Sequence, residues 1–234
     1  MKFSILTATH NCSKYISDCI RSVIAQDYPD WELIISDDCS SDDTYSIASS
    51  FESEKITVIR NRRKLFCGPN YAKLLSNATG DCCGILDGDD ILLPNAVSTI
   101  ISYYESNPEI DFIWTRHKWC NKDLSKSREG LSCKPHKKTI YESEKGLKHI
   151  YSHWRTFRTE MRNRGILFRD LKCTVDKDLG YNLEEMGSGG FLPIVLYCYR
   201  YHKGNMSHNS SQKKEWIKIR QFHDGRARNK VVTL

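Results

Sequence analysis

The amino-acid sequence predicts an α/β fold: a mostly parallel, doubly wound sheet flanked by helices, followed by a less regular second half. Three observations predict it. Short apolar runs alternate with stretches of helical spacing from residue 3 to residue 115, and parallel strands need crossover helices of this kind. Two acidic clusters, Asp37-Asp38 and Asp87-Gly88-Asp89-Asp90, each follow directly on an apolar run. The chain has 234 residues, 39% of them hydrophobic, which is enough for one sizeable core.

Phe3–Thr9 has the β-branched and apolar content of a buried strand and runs into the turn formers His10-Asn11. Ser13 suits an N-cap, with Ile16, Cys19, Ile20, Val23 and Ile24 at helical spacing until Asp27-Tyr28-Pro29 stops the helix. A second strand over 31–36 leads into the acidic loop Asp37–Thr44. The pattern then repeats with a helix over 44–51, a strand over 56–60, a helix over 69–77, a strand over 82–86, a helix over 94–105 and a strand over 111–115. Crossovers return each parallel strand in the same direction, so both acidic loops are expected on one edge of the sheet.

Ligands of an open α/β sheet bind just past the carboxyl ends of its strands. Three acids at such an end make a cation site, because carboxylate oxygens suit a hard divalent ion that can neutralise a bound diphosphate. An Asp-x-Asp recurs by chance, and a solvated turn ahead of a helix opened by Pro94 is the plain alternative. Convergence with the Asp37-Asp38 loop gives the motif its weight.

The segments Thr7–Asn11, Ile20–Tyr28, Trp31–Thr44, Gly80-Asp81 and Asp87–Asp90 closely resemble family 2 glycosyltransferases of the GT-A fold, in order and over roughly the first half of the chain. The resemblance implies an inverting, nucleotide-sugar-dependent transferase using Mn2+ or Mg2+, with a UDP-sugar as the expected donor. By that resemblance the nucleotide is bound by Thr7, Ala8, Thr9, Asn11, Asp37, Asp38, Asp87 and Gly88, with Thr7, Thr9 and Asp38 near base and ribose, while Arg62, in the basic run Asn61–Lys64 after the third strand, suits either the diphosphate or a solvated face. Asp37 is divided between ligand binding and capping of the next turn. Asp89 meets the metal, with Asp90 and His202 as further ligands. Cys39 departs from the pattern, since such loops usually carry a glycine or another small residue there.

Direct displacement with inversion requires a base for the acceptor hydroxyl. Asp176 and Asp178, ahead of a helix expected over 179–186, are two candidates, and either also suits an N-cap. The resemblance assigns the base to Asp176 and leaves Asp178 to position it, although Val175 stands where the family usually has a second acid. Residues 191–202 read as an edge strand with alternating aromatics that ends at Arg200 and His202. Trp154 and Arg155 lie in a segment that resembles one near the acceptor in some family members. A tryptophan face stacks on a sugar and a guanidinium forks onto oxyanions, but a Trp at helical spacing is more often a core anchor.

The expected organisation is a GT-A domain over 1–205, with a nucleotide-sugar half at 1–116 and an acceptor half at 117–205, then a basic tail at 206–234. The net charge of +6 is partly concentrated in that tail, which suits either a solvated end or peripheral contact with an anionic membrane carrying a saccharide or lipid-linked acceptor. Nothing else in the chain supports nucleic acid as a partner, and a homodimer is compatible with the sequence. A strand starting at residue 3 leaves no room for a secretory leader, and no Cys-x-x-Cys occurs. The ten cysteines therefore read as small apolar residues in a reduced cytoplasm. The polar stretch 121–138 is the expected mobile loop. Two other classes remain: a nucleotidyltransferase, which would want a glycine-rich phosphate loop that residues 7–13 lack, and a nucleotide-sugar binder without catalysis.

Overall fold

The computed structural model describes residues 1–130, 153–165, 167–205, 211–228 and 231–233. The elements run β1 (Phe3–Thr9), α1 (Ile16–Ile24), β2 (Trp31–Asp37), α2 (Thr44–Ser49), β3 (Ile56–Arg60), α3 (Cys67–Asn77), β4 (Cys82–Ile85), β5 (Ile91–Leu92) and α4 (Ala96–Ser106). They continue with β6 (Phe112–Cys120), β7 (Ser127–Glu129), β8 (Arg155–Arg158), a 3-10 turn (Thr159–Asn163), α5 (Val175–Met186), β9 (Gly189–Arg200), α6 (Ser211–His223) and β10 (Val231–Thr233).

All the strands join one sheet in the order β10-β9-β6-β8-β4-β1-β2-β3, with β5 on β9 and β7 on β6. β4, β1, β2 and β3 are mutually parallel, as the alternation predicts. β8 enters antiparallel between β4 and β6. Alternation along β1 splits the core into two layers. Phe3 and Ile5 pack with Ile16, Ile20 and Val23 of α1 and Val97 and Ile100 of α4. Leu6 faces the opposite layer with Leu74 of α3, Leu179 and Leu183 of α5 and Ile219 of α6.

Several sequence expectations need correction. Helix α1 starts at Ile16 with Tyr15, not Ser13, at its N-cap and no side-chain cap, and the Ser13 amide donates to Asp42 at 3.1 Å. β9 is not an edge strand: it pairs with β6 along its length and with β5 and β10 on its other side. The stretch 121–138 is not one loop, since β7 forms a hairpin with β6, and its residues from 131 onward lie outside the described region. The tail is not simply frayed. Its helix α6 docks on α5 through the fully buried Ile219 and His223, while 206–210, 229, 230 and 234 lie outside the described residues. Cys120 and Cys198, on neighbouring strands with Cα atoms 6.0 Å apart, form a disulfide, so not every cysteine is the reduced apolar residue expected. Cys19, Cys82, Cys83 and Cys173 do fit that reading as buried thiols. No helix among the described residues is long and apolar enough to cross a membrane.

Candidate active site

Parallel pairing of β1 with β2 and with β4 brings both acidic loops to one sheet edge, with Thr9 in register with Asp37. The Asp38 amide donates to the Thr9 carbonyl at 2.8 Å, and the Asn61 amide to the Asp37 carbonyl at 2.9 Å, which ties the β1, β2 and β3 ends together. Cys39 adopts φ 59°, the left-handed region that glycine enters at least cost. That backbone explains the small residue usual at this place, and the Cys39 thiol donates to the Asn61 carbonyl at 3.0 Å. Asn11, also left-handed at φ 55°, accepts the Ser41 amide at 2.9 Å and donates its own amide to Ser40 Oγ. Its side chain organises the β2–α2 loop.

The two adjacent acids divide their work. Asp38 accepts Asn61 Nδ2 at 3.0 Å and the Leu65 and Phe66 amides at 2.7 and 2.9 Å, so its carboxylate fastens the β3–α3 loop over the carboxyl edge of the sheet. Asp37 is fully buried and accepts the Ser40 amide through Oδ2, while its Oδ1 has no hydrogen-bond partner among the described residues. The Thr7 hydroxyl is likewise buried without a partner among the described residues. Asp42 caps the turn into α2, accepting the Thr44 amide at 3.0 Å. Arg62 lines, with Cys39, Ser40, Arg60 and Asn61, a shallow hollow of about 410 Å³ beside this loop.

In the second acidic loop each carboxylate has a different environment. Asp87 accepts the Tyr71 hydroxyl at 2.7 Å and lies 3.5 Å from His153 Nε2 and 3.7 Å from Arg155 Nη2. Burial opposes its ionisation, but the His153 and Arg155 nitrogens outweigh it and hold this carboxyl well below its usual range. Asp90 is fully buried and accepts the Tyr197 hydroxyl and the Arg200 amide, both at 2.7 Å. Burial, with the charges of Asp89 and Asp87 close by, pushes the Asp90 carboxyl well above its ordinary value. Asp89 faces outward to His202, whose Nε2 is 2.9 Å from Oδ2. Gly88 leaves room for Thr9, whose hydroxyl would lie 2.8 Å from an added Cβ. Asp87, Asp90 and His153 also bring ligand atoms within 4.8 Å of one another, a second set able to hold a cation.

Beside β4, Arg155 of β8 is nearly buried and reaches both Asp87 and, at 3.5 Å, Asp176 in the first turn of α5. Asp176 keeps 41% of its side chain exposed. Asp178 does not share that access. It is fully buried, bonded to Arg169, Asn182 at 3.2 Å and His223 at 3.0 Å, and therefore locks α5 to α6 instead of meeting a substrate. Although burial opposes it, the His223 and Arg169 partners lower the Asp178 carboxyl below its ordinary value. Trp154 is also corrected. It is fully buried, with its ring 5.3 Å from Phe3 and pressed against Gly84, as a core anchor.

His153, Tyr71 and Tyr197 belong to the site although no motif in the sequence singles them out, because they meet Asp87 and Asp90 only through the sheet. The His153-Trp154-Arg155 segment leads into β8, and there Trp154 is buried in the core while His153 and Arg155 both reach Asp87.

The family model for Glycosyl transferase family 2 matches residues 4–165. The chain is 31% identical over 117 residues to the putative glycosyltransferase EpsE of Bacillus subtilis (strain 168), covering 49% of this chain and 42% of that protein. It is 30% identical over 209 residues to chondroitin synthase of Escherichia coli, covering 87% of this chain and 29% of that protein. The chain thus spans less than half the length of these curated relatives. The crystal structure of S. aureus TarS in complex with UDP-GlcNAc superposes with a TM-score of 0.79 at 19% identity, covering 95% of this chain and 65% of that one. That likeness is one of fold, and with the family match over most of the chain it shows that this protein belongs to glycosyl transferase family 2 and has the GT-A fold.

Proposed function

We propose that the chain is an inverting glycosyltransferase that moves a sugar from a UDP-sugar to a saccharide or lipid-linked acceptor. The observation that carries this reading is Arg155, which stands between Asp87 of the donor edge and Asp176 of the acceptor side at 3.7 and 3.5 Å. A base, a cation and a diphosphate-facing acid then share one cleft. The relatives' names point the same way: one is a UDP-Glc:alpha-D-GlcNAc-diphosphoundecaprenol beta-1,3-glucosyltransferase of Escherichia coli.

In this reading the buried Asp37 oxygen and the Thr7 hydroxyl, both without partners, bind the nucleoside, with Thr9, Ala8 and Asn11 shaping the wall and Arg62 beside it. Asp87, held ionised, orients the ribose and diphosphate. Asp89 and His202 offer a carboxylate oxygen and an imidazole nitrogen 2.9 Å apart, a donor set that fits Mn2+ and, through the oxygen, Mg2+. A cation there supplies neutralisation of the charge that grows on the leaving diphosphate. Asp176 takes the proton of the acceptor hydroxyl as it attacks the anomeric carbon from the face opposite the diphosphate, and Arg155 fixes the carboxylate for that transfer. The reading places the enzyme in the cytoplasm, with a peripheral approach to the membrane where the acceptor is lipid-linked.

The experiment is a thermal-shift screen of nucleotide sugars with and without Mn2+, followed by transfer assays on the hit. A ligand that binds only the folded chain raises its melting temperature by mass action. A metal-dependent shift with a UDP-sugar supports the reading, and no shift with any nucleotide sugar rejects it.

A further inference from the structure

Three segments build a surface the proposed reaction does not use. The β3–α3 loop contributes Phe66, the 167–174 segment contributes Lys172, and α6 contributes Phe222. Phe66 and Phe222 are 38% and 43% exposed, although both are large apolar residues. Phe66 takes φ 65°, a conformation costly for a bulky side chain, and Asp38 holds it there by accepting the Leu65 and Phe66 amides. The fold therefore spends backbone strain on presenting an aromatic ring to solvent.

Cations surround both rings. Lys172 and Lys64 stand 4.9 and 5.6 Å from the Phe66 ring, and Arg169 and Arg226 stand 3.8 and 4.4 Å from Phe222. Glu215 of α6 accepts the Cys173 amide at 2.9 Å, which joins the helix to the segment carrying Lys172 and makes the three pieces one surface. Lys64, Lys172 and Arg226 are exposed beside the rings, Arg226 also pairing with Glu185 at 2.7 Å, and Lys218 is exposed on α6 one turn before Phe222.

We propose that this face docks on an anionic lipid bilayer, with Phe66 and Phe222 entering the headgroup boundary and the cations meeting lipid phosphates. The inference rests on the reading of the chain as a transferase with a lipid-linked acceptor, and it names the surface that brings Asp176 to that acceptor. Aromatic rings with flanking Lys and Arg suit an interface that is apolar below and negatively charged above. An uncharged saccharide in solution would not need the positive charge.

The test is co-sedimentation with phosphatidylcholine vesicles and with vesicles containing phosphatidylglycerol, at low and at high salt. The expected result is binding to the anionic vesicles alone, released by salt as the charges are screened. Replacing Phe66→Ser together with Phe222→Ser should weaken binding at least about tenfold, and Lys172→Glu with Lys218→Glu should weaken it about thirty-fold or more. Absence of binding to anionic vesicles, or equal binding by wild type and both double variants, overturns the proposal. So does a dimer in light scattering that the Phe variants dissociate while vesicles stay unbound, because the face would then join two copies. The UDP-dependent melting shift on the same samples separates the two readings: its retention in variants that lose vesicles shows intact folding, and its absence in wild type counts against the transferase reading, not the docking.

Discussion

Arg155 Nη1 lies 3.5 Å from Oδ2 of Asp176, a contact that joins a strand in the middle of the sheet to the first turn of a helix on its face. If Asp176 is the base, Asp176→Asn should lower transfer by about 10²- to 10⁴-fold while calorimetry finds donor affinity nearly unchanged. Unchanged turnover would move the base elsewhere.

Asp176 and Asp178 should separate in stability as well as in chemistry. Asp178→Asn leaves Arg169 and His223 without their buried anionic partner, and a loss of about 3–5 kcal/mol in urea unfolding is expected. Asp176→Asn, at a half-exposed position, should cost no more than about 0.5 kcal/mol. Equal losses would contradict the division of roles.

For the cation, Asp89→Asn and His202→Gln are each expected to abolish the Mn2+-dependent part of the melting shift seen with UDP. Asp90→Asn should retain it, since both Asp90 oxygens already serve β9. Loss in Asp90→Asn with retention in His202→Gln would instead favour the set of Asp87, Asp90 and His153.

Glu32 gives a pH dependence outside the site. Burial raises its pKa, but Lys2, Ser4 and Thr79 overcome that and bring it from 4.5 to about 2. A carboxyl lowered on folding stabilises above its unfolded value, and the gain is lost as pH falls from 4.5 toward about 2. Glu32→Gln should therefore cost about 1–2 kcal/mol at pH 7 and flatten the acid limb of the stability curve. An unchanged limb would refute this.

Trp154→Ala should destabilise the fold by about 3–5 kcal/mol, measured by chemical denaturation, because its ring fills the space over Gly84 beside Phe3. A residue that merely lined an acceptor cleft would change affinity for the acceptor and leave stability nearly intact.

The acidic edge of the sheet was legible in the sequence because its residues are local. Asp37-Asp38 and Asp87–Asp90 stand at the ends of consecutive-looking strands, and the parallel alternation alone sends them to the same edge. The acceptor side was less so. Period and composition say nothing of β8 entering antiparallel between β4 and β6, and only that insertion sets Arg155 beside both Asp87 and Asp176. Asp178 reads like Asp176 in sequence, and its burial depends on His223, a residue of the tail. Trp154 and Arg155 are neighbours, yet Trp154, just ahead of β8, packs in the core while Arg155, the first residue of β8, reaches both acids.

The placement of β8 has a consequence for how such proteins can be cut or recombined. A piece ending at residue 116 would strip β4 of its outer neighbour and leave a bare row of amides and carbonyls open to foreign strands. Exchanging acceptor preference by swapping halves therefore means resewing the middle of the sheet, whereas grafting loops at its carboxyl edge leaves the weave untouched.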